Sequence, residues 1–167
     1  HIYAVGDVRY GGLKLAHTAS HEGITAVKDA VQGKGDEQHK HVPSCIFTVP
    51  EIAAVGLTEE QARTQGYEVN IGTFSYQSNG LALSMNAETG MVKVVAEQEY
   101  GQILGVHIAG AHAGDLIHEA AAAMAGEFDT ETLGELIHAH PTLSEVVMEA
   151  ALDCDRMSIH NPPRRMR

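Results

Sequence analysis

Cysteine is scarce in this sequence, and its two cysteines, Cys45 and Cys154, stand far apart. That spacing matches neither the disulfide framework of a small secreted domain nor a Cys-x-x-Cys zinc site. A low cysteine content also favours a reducing compartment, in which disulfides rarely persist. We therefore predict a cytoplasmic protein without a cysteine-based metal site.

Basic residues and long apolar runs are scarce as well. The chain holds 11 Lys and Arg against 22 Asp and Glu, which gives a formal net charge of −11. A surface of this sign repels phosphate groups, so we expect neither nucleic acid nor an anionic membrane surface as a partner. The apolar stretch at 120–125 is far too short to cross a bilayer.

What is present is the composition of a globular domain. Hydrophobic residues make up 44% of the 167 residues, and a chain of this length buries roughly 70% of its unfolded surface. The sequence opens on residues 2–5, Ile-Tyr-Ala-Val, which have the pattern of a buried strand. Because such a strand belongs inside a domain, we expect the chain to be a piece of a larger one.

The periodicity predicts an α+β fold, in which an antiparallel sheet flanked by helices follows a strand–helix unit. A polar, unpatterned stretch at 34–42 separates units at 1–33 and 43–155, and we expect a loose tail at 156–167. The predicted elements are a strand at 2–5, a helix at 15–32, strands at 45–48 and 52–56, a helix capped by Thr58, strands at 68–76, 90–97 and 101–109 with an irregular connection at 79–89, and helices at 114–125, 131–137 and 141–152.

A histidine and a glutamate near the end of the chain have the spacing of an acid–base pair. Pro141 holds His140 out of the helical region and itself suits the first turn of a helix, which places Glu145 one turn into that helix. The carboxylate could then reach back to the imidazole, fix its tautomer and favour its protonated form. This is the arrangement of a general acid–base. The alternative is a structural His140 with Glu145 as a helix-capping carboxylate.

Two further histidines, His17 and His21, stand four apart on the predicted helix with Glu22 adjacent. This spacing could hold a metal ion. No third ligand is apparent nearby in the sequence, so we predict ordinary helix residues and no metal site.

Three motifs resemble those of one enzyme family. The segment 137–145, Ile-His-Ala-His-Pro-Thr-Leu-Ser-Glu, resembles the C-terminal signature of the FAD-dependent pyridine nucleotide–disulfide oxidoreductases, most of all in their dihydrolipoamide dehydrogenase branch. Residues 2–8 resemble the second FAD-binding motif of that family, and residues 43–59 resemble the start of its interface domain. The resemblance implies that Gly6 lets the backbone approach the cofactor and that Asp7 accepts a hydrogen bond from the ribityl chain.

The resemblance also implies how the rest of the chain works. Residues 1 to about 33 would end the FAD domain, with the helix start at Lys14, Leu15, Ala16 and His17 directed at the flavin ring. Residues 43–155 would form the dimerisation domain of a homodimer. His140, held by Glu145, would take a proton from a thiol near the partner's redox disulfide. The reaction implied is oxidation of a protein-bound dithiol, dihydrolipoamide, through a disulfide and FAD to reduce NAD.

The sequence also departs from the family. A redox cysteine pair, the first FAD glycine motif and an NAD-binding domain do not occur in it, so we expect this chain alone to be inactive and not to hold FAD tightly. Two alternatives stay open. One is a sibling enzyme such as a glutathione or mercuric reductase, and the other is a stand-alone dimerisation module without chemistry.

Overall fold

The computed structural model describes residues 2–35 and 41–161. The contacts within the chain divide it into two units, and the boundary in the sequence lies between Val42 and Pro43. Residues 36–40 of the predicted linker and residues 162–167 of the predicted tail lie outside the described residues. None of the described helices is long and apolar enough to cross a membrane.

The first unit contains a 3₁₀ turn, Gly6–Val8, and the helix α1, Ala16–Gln32. The predicted helix is confirmed, but the strand predicted at 2–5 is wrong. Val5 is extended, with φ −129° and ψ 151°, yet the described residues of this unit include no strand to pair with it. An extended segment becomes a strand only when a neighbour satisfies its backbone hydrogen bonds.

The apolar face of α1 is largely uncovered within its own unit. Its spacing predicts a buried stripe, but of its described residues Thr18 alone is buried. Ile24, Val27 and Val31 are exposed. The predicted buried stripe is therefore absent from the described residues of this unit.

The described residues of the second unit form a five-stranded antiparallel sheet in the order β1-β2-β5-β4-β3. Its elements, in chain order, are β1 Ser44–Ile46, β2 Glu51–Gly56, α2 Glu59–Thr64, β3 Val69–Ser75, α3 Gly80–Ser84, β4 Met91–Glu97, β5 Ile103–Gly110, α4 Ala113–Ala125, α5 Thr130–Glu135 and α6 Glu145–Cys154. The predicted α+β fold is confirmed.

The main core lies between one face of this sheet and the helices α4 and α6. It is built from alternate strand residues and from the apolar faces of the two helices, among them Val94, Val106, Ile117, Val146 and Val147. A smaller cluster of Ala62, Val69, Val95 and Leu104 covers part of the opposite face. One face of the antiparallel sheet thus carries most of the core, as is common for sheets of this kind.

Three local predictions meet different outcomes. The predicted Thr58 cap of α2 is confirmed and forms a capping box, because the Gln61 N–H donates to Thr58 Oγ1 and the Thr58 N–H donates to Gln61 Oε1. The irregular connection at 79–89 instead contains α3, which begins because Asn79 Oδ1 accepts from the Ala82 N–H at 2.9 Å. The last helix begins at Glu145 rather than at Pro141.

The tail that we predicted to be loose is anchored as far as it is described. Ser158 and His160 hydrogen-bond to Glu149 of α6, and Asn161 Nδ2 donates to the carbonyl oxygen of Thr73 in β3. A buried carboxylate needs hydrogen-bond donors, and this segment provides them.

Close packing of α6 on β3 depends on Gly72. A Cβ atom at this position would lie 2.0 Å from the carbonyl oxygen of Ala150 and 2.8 Å from Sγ of Cys154. The strand can approach the helix backbone this closely only because the side chain is absent.

We predict that Gly72→Ala lowers the free energy of unfolding by about 2–3 kcal/mol, because α6 must move away from the sheet. Gly80→Ala is the matched control, since a Cβ there meets open space, and its effect should stay within about 0.5 kcal/mol. Urea unfolding followed by circular dichroism measures both. Equal stabilities for the two variants would contradict the close packing of α6.

Candidate active site

The loop between α5 and α6 brings His140 and Glu145 together. His140 Nδ1 lies 2.8 Å from Glu145 Oε1, so the contact suggested by their spacing is present. The imidazole is 77% exposed, whereas the carboxylate is only 18% exposed. The pair therefore presents its histidine to solvent and keeps its carboxylate against the protein.

Glu145 is the first residue of α6 and not one turn inside it, which corrects the predicted geometry. Its Oε2 accepts from the Thr142 N–H at 2.8 Å, and Thr142 Oγ1 donates to the carbonyl oxygen of Ala139 at 2.7 Å. These side-chain bonds hold the loop in a non-helical conformation. The helix consequently starts at Glu145, with the carboxylate folded back over the loop.

The surroundings of Glu145 keep it ionised. Burial acts to raise the pKa of Glu145, but hydrogen bonds from the Thr142 N–H and the His140 ring outweigh it, and the pKa is lowered. An ionised carboxylate only accepts, so Nδ1 of His140 carries the proton of their hydrogen bond. This assigns the tautomer and leaves Nε2 on the exposed side as the nitrogen that can exchange protons.

The neighbouring His138 is placed very differently. Its side chain is 8% exposed, its Nε2 lies 2.5 Å from Glu119 Oε1, and its Nδ1 lies 2.9 Å from the carbonyl oxygen of Leu136. Both ring nitrogens lie beside protein oxygen atoms. His138 thus ties the loop to α4 and has no nitrogen left for a substrate.

The dyad loop lies at one particular end of the sheet. Asn79, just after β3, donates from Nδ2 to the carbonyl oxygen of Thr142. The end of β3 pairs with the start of β4, and the start of β4 pairs with the end of β5. The end of β5 pairs with the start of β2, so the turn between β1 and β2 lies at this same end. That turn carries the exposed side chains of Phe47 and Val49.

The first of the two predicted cofactor segments lies in the 3₁₀ turn of the first unit. Gly6 has φ +73°, a conformation that favours glycine, and its N–H donates to Glu22 Oε2 at 2.6 Å. Glu22 Oε1 also accepts from Arg9 Nε, so this carboxylate joins the turn to α1. Asp7 is exposed. Its carboxylate is accessible to a hydroxyl donor.

The second segment is the start of α1. Lys14 precedes the helix, Leu15 is its N-cap, and Ala16 and His17 begin its first turn. The leucine side chain cannot accept a hydrogen bond, so this helix start has no side-chain cap from its N-cap residue. The positive end of the helix dipole lies at this segment. Within residues 2–35 and 41–161, no group of three or more His, Cys, Asp or Glu side chains is arranged to hold a metal ion.

Sequence reasoning did not find two histidine–carboxylate pairs, His138–Glu119 and His160–Glu149. Their partners lie on different elements, so no spacing within one helix or loop could have indicated them. The only available signal was Glu149 itself, which stands one helical turn after Glu145 and so shares its face of α6.

The comparisons with known proteins agree on one family. The family profile described as "Pyridine nucleotide-disulphide oxidoreductase, dimerisation domain" matches residues 42–151. A dihydrolipoyl dehydrogenase of Bacillus subtilis is 47% identical over 160 residues, which are 96% of this chain and 35% of that protein. A mitochondrial dihydrolipoyl dehydrogenase of Pisum sativum is 41% identical over 159 residues, 95% of this chain and 32% of that protein.

Solved structures give the same result. LpdA from Mycobacterium tuberculosis superposes with a TM-score of 0.81 at 28% identity, over 89% of this chain and 32% of that one. The flavoprotein disulfide reductase RclA from Escherichia coli superposes with a TM-score of 0.80 at 27% identity, over 89% of this chain and 34% of that one. The chain spans about a third of the length of these relatives.

We predict that Glu145→Gln destabilises the chain by about 1 kcal/mol at pH 7, because charge-assisted hydrogen bonds to the carboxylate are lost. Native contacts lower the pKa of Glu145. Its ionisation therefore stabilises the fold above the ordinary carboxyl pKa of about 4.3, and this contribution is lost as the pH falls through the lower native value. Urea unfolding at several pH values should show the difference shrinking below about pH 4.

Glu88→Gln is the control for this measurement. Glu88 is exposed, so its replacement should leave stability nearly unchanged at every pH. A Glu145→Gln deficit that is the same at pH 7 and at low pH would contradict an ionic role for Glu145.

Proposed function

This chain belongs to the pyridine nucleotide–disulphide oxidoreductase family, whose dimerisation domain it contains, and on that premise we propose that it is part of a dihydrolipoyl dehydrogenase. In such an enzyme it would join two subunits and supply His140 and Glu145 as an acid–base pair. The observation that carries the proposal is the hydrogen bond from His140 Nδ1 to a carboxylate, with Nε2 left toward solvent.

The names of the relatives support this branch over its siblings. Proteins named dihydrolipoyl dehydrogenase are 40–47% identical over almost the whole chain, whereas the matching disulfide reductase RclA is 27% identical. Glutathione or mercuric reductase-like siblings are therefore the minor alternative. In a stand-alone dimerisation module the exposed dyad would have no function.

The proposed reaction is a dithiol–disulfide exchange coupled to NAD reduction. Overall, a dithiol and NAD⁺ give a disulfide, NADH and a proton. Nε2 of His140 accepts the proton of a substrate thiol, and the resulting thiolate attacks one sulfur of the redox disulfide, which forms a mixed disulfide and releases the other sulfur as a thiolate. Glu145 holds the ring and stabilises its positive charge. The proton later leaves His140 for solvent or for the departing thiolate.

The two cysteines of this chain are poorly suited to be that disulfide. Cys154 is buried in the core of the second unit. Burial first, and then the nearby charges of Glu51 and Asp115, raise the pKa of the Cys45 thiol. A raised pKa disfavours the thiolate that exchange requires. We therefore assign the redox disulfide to residues other than these 167.

The first unit fits one edge of an FAD site. We propose that Asp7 accepts a hydrogen bond from the ribityl chain, that Gly6 allows close backbone approach, and that the start of α1 at Lys14, Leu15, Ala16 and His17 faces the electron-rich edge of the flavin. When bound, FAD would supply the two-electron carrier between the dithiol and NAD. We assign no residue of this chain to NAD binding. That the dithiol belongs to a lipoyl-bearing substrate protein is also part of the proposal.

Location in the cytoplasm stays a prediction. Among the relatives are bacterial proteins and plant proteins named as mitochondrial. Both places are compatible with a chain whose cysteines form no disulfide.

A homodimer is consistent with the exposed apolar side chains at the dyad end of the sheet. The turn between β1 and β2 exposes Phe47 and Val49 almost completely, and Ile52 and Met91 beside it are half exposed. Apolar side chains grouped in this way mark an interface more often than a free surface. The position of this cluster would bring His140 close to the second subunit.

We predict that the chain sediments as a dimer at tens of micromolar concentration and that the double variant Phe47→Asp, Val49→Asp is monomeric. Tyr100→Asp is the control. Tyr100 is also exposed, but it lies in the turn between β4 and β5, at the opposite end of the sheet. Sedimentation velocity distinguishes these outcomes. A wild-type monomer would contradict a dimer interface built by this chain alone.

The catalytic proposal is tested in a chimera in which this chain replaces the corresponding third of the Bacillus subtilis relative. The chimera should form NADH from dihydrolipoamide and NAD⁺. His140→Gln should lower kcat by about 100- to 10,000-fold, which is the usual effect of losing a general acid–base. His118→Gln, at an exposed histidine of α4, should leave kcat within about twofold of its original value if general acid–base help is confined to His140. A His140→Gln chimera with undiminished kcat would exclude the proposed role.

A further inference from the structure

The first half of the dyad loop, which joins α5 to α6, contains one side chain that is withdrawn from solvent. This is His138, whose side chain is only 8% exposed. The exposed residues around it are Leu136, Ile137, Ala139, His140 and Pro141. Burial of apolar surface therefore contributes little to fixing this stretch, and its conformation depends on specific polar contacts.

His138 joins this half of the loop to α4. Its Nε2 lies 2.5 Å from Glu119 Oε1, and its Nδ1 lies 2.9 Å from the carbonyl oxygen of Leu136. Glu119 is well placed to act as an anchor, because α4 is packed into the main core through residues such as Ile117. The contact therefore fixes the backbone two residues before His140.

The second half of the loop is held by other residues. Asn79 Nδ2 donates to the carbonyl oxygen of Thr142 at 2.9 Å, and Thr142 Oγ1 donates to the carbonyl oxygen of Ala139 at 2.7 Å. His140 thus lies between two anchored points, His138 before it and Thr142 after it. A catalytic group that is held from both sides keeps the orientation that the reaction requires.

We propose that His138 and Glu119 are positioning residues for the dyad. Their contact fixes the backbone that leads into His140, which keeps the His140 ring against Glu145. Both residues act through His140 and not on the substrate. The inference rests on the proposed function for its effect on catalysis, whereas its geometric part concerns this chain alone.

The geometric part is tested in the 167-residue chain by NMR of the isotope-labelled ring nitrogens of His140, with the ring neutral. The bond to Glu145 should hold the proton on Nδ1 in the wild-type chain. His138→Leu removes the contact with Glu119, and the signals should then report a mixture of the two neutral tautomers. His138→Gln provides an amide that can bond to Glu119, and it should restore most of the Nδ1–H tautomer.

Two controls separate positioning from a general loss of stability. Val95→Ala leaves a cavity in the smaller cluster on the opposite face of the sheet, which destabilises the fold without touching the loop. His118→Gln removes an exposed imidazole next to Glu119. Both variants should keep the wild-type tautomer. A wild-type tautomer in His138→Leu, or a mixture in Val95→Ala, would overturn the proposal.

The catalytic part is tested in the chimera with the Bacillus subtilis relative. His138→Leu should lower kcat by about 10- to 100-fold and change the KM for dihydrolipoamide by less than about threefold, because a displaced catalytic group mainly slows the chemical step. Since His138 acts through His140, adding His138→Leu to His140→Gln should cause no further loss.

The two arms fail in different ways. Losses of kcat that multiply in the double variant would show that His138 does not act through His140 and would overturn the positioning role. A His140→Gln chimera with undiminished kcat would instead remove the proposed function, and the tautomer of His140 in the chain would still decide whether His138 positions it.

Discussion

The second unit depends on one requirement, which is that the carboxylates along α6 must find hydrogen-bond donors once the helix is packed against the sheet. Glu145, Glu149 and Asp153 stand at successive turns of this helix. Glu145 accepts from the Thr142 N–H and the His140 ring, Glu149 from the segment 158–160, and Asp153 Oδ2 from the Thr73 N–H of β3 at 2.7 Å. A charge removed from water without such partners would be costly. One helix therefore fixes the loop before it, the segment after it and the strand beneath it.

This requirement also shapes the chemistry of the histidines around α6. His138 and His140 are separated by a single residue, yet one ring is buried with both nitrogens bonded and the other is exposed with one nitrogen bonded. Only the second arrangement leaves a nitrogen for proton transfer. Gly72 helps to satisfy the third carboxylate, because the absence of its side chain lets β3 approach α6 closely enough for Asp153 to accept a hydrogen bond from the strand. In this unit the packing of the core and the geometry of the dyad are consequences of the same contacts.

Much of the fold could be predicted from the residues, and the failures share a cause. The strands at 69–75, 91–97 and 103–110 and the helices at 16–32 and 113–125 lie within a few residues of their predicted bounds. Alternation and helical spacing report which side of an element is apolar. The strand at 2–5 and the buried stripe of α1 fail because each depends on a neighbour that periodicity cannot identify. The start of α6 is misplaced because the bonds from Thr142 compete with the helix that Pro141 would permit.

The sequence by itself determined the α+β class and the pairing of His140 with Glu145, since these follow from periodicity and from a contact five residues apart. Only the tertiary structure decided that the His140 ring is exposed, that the His138 side chain is buried against Glu119, and that Glu149 binds His160. The last two contacts join residues 19 and 11 positions apart on separate elements. Whether these residues come into contact depends on how α4, α6 and the following segment pack together. Local sequence preferences do not encode that packing.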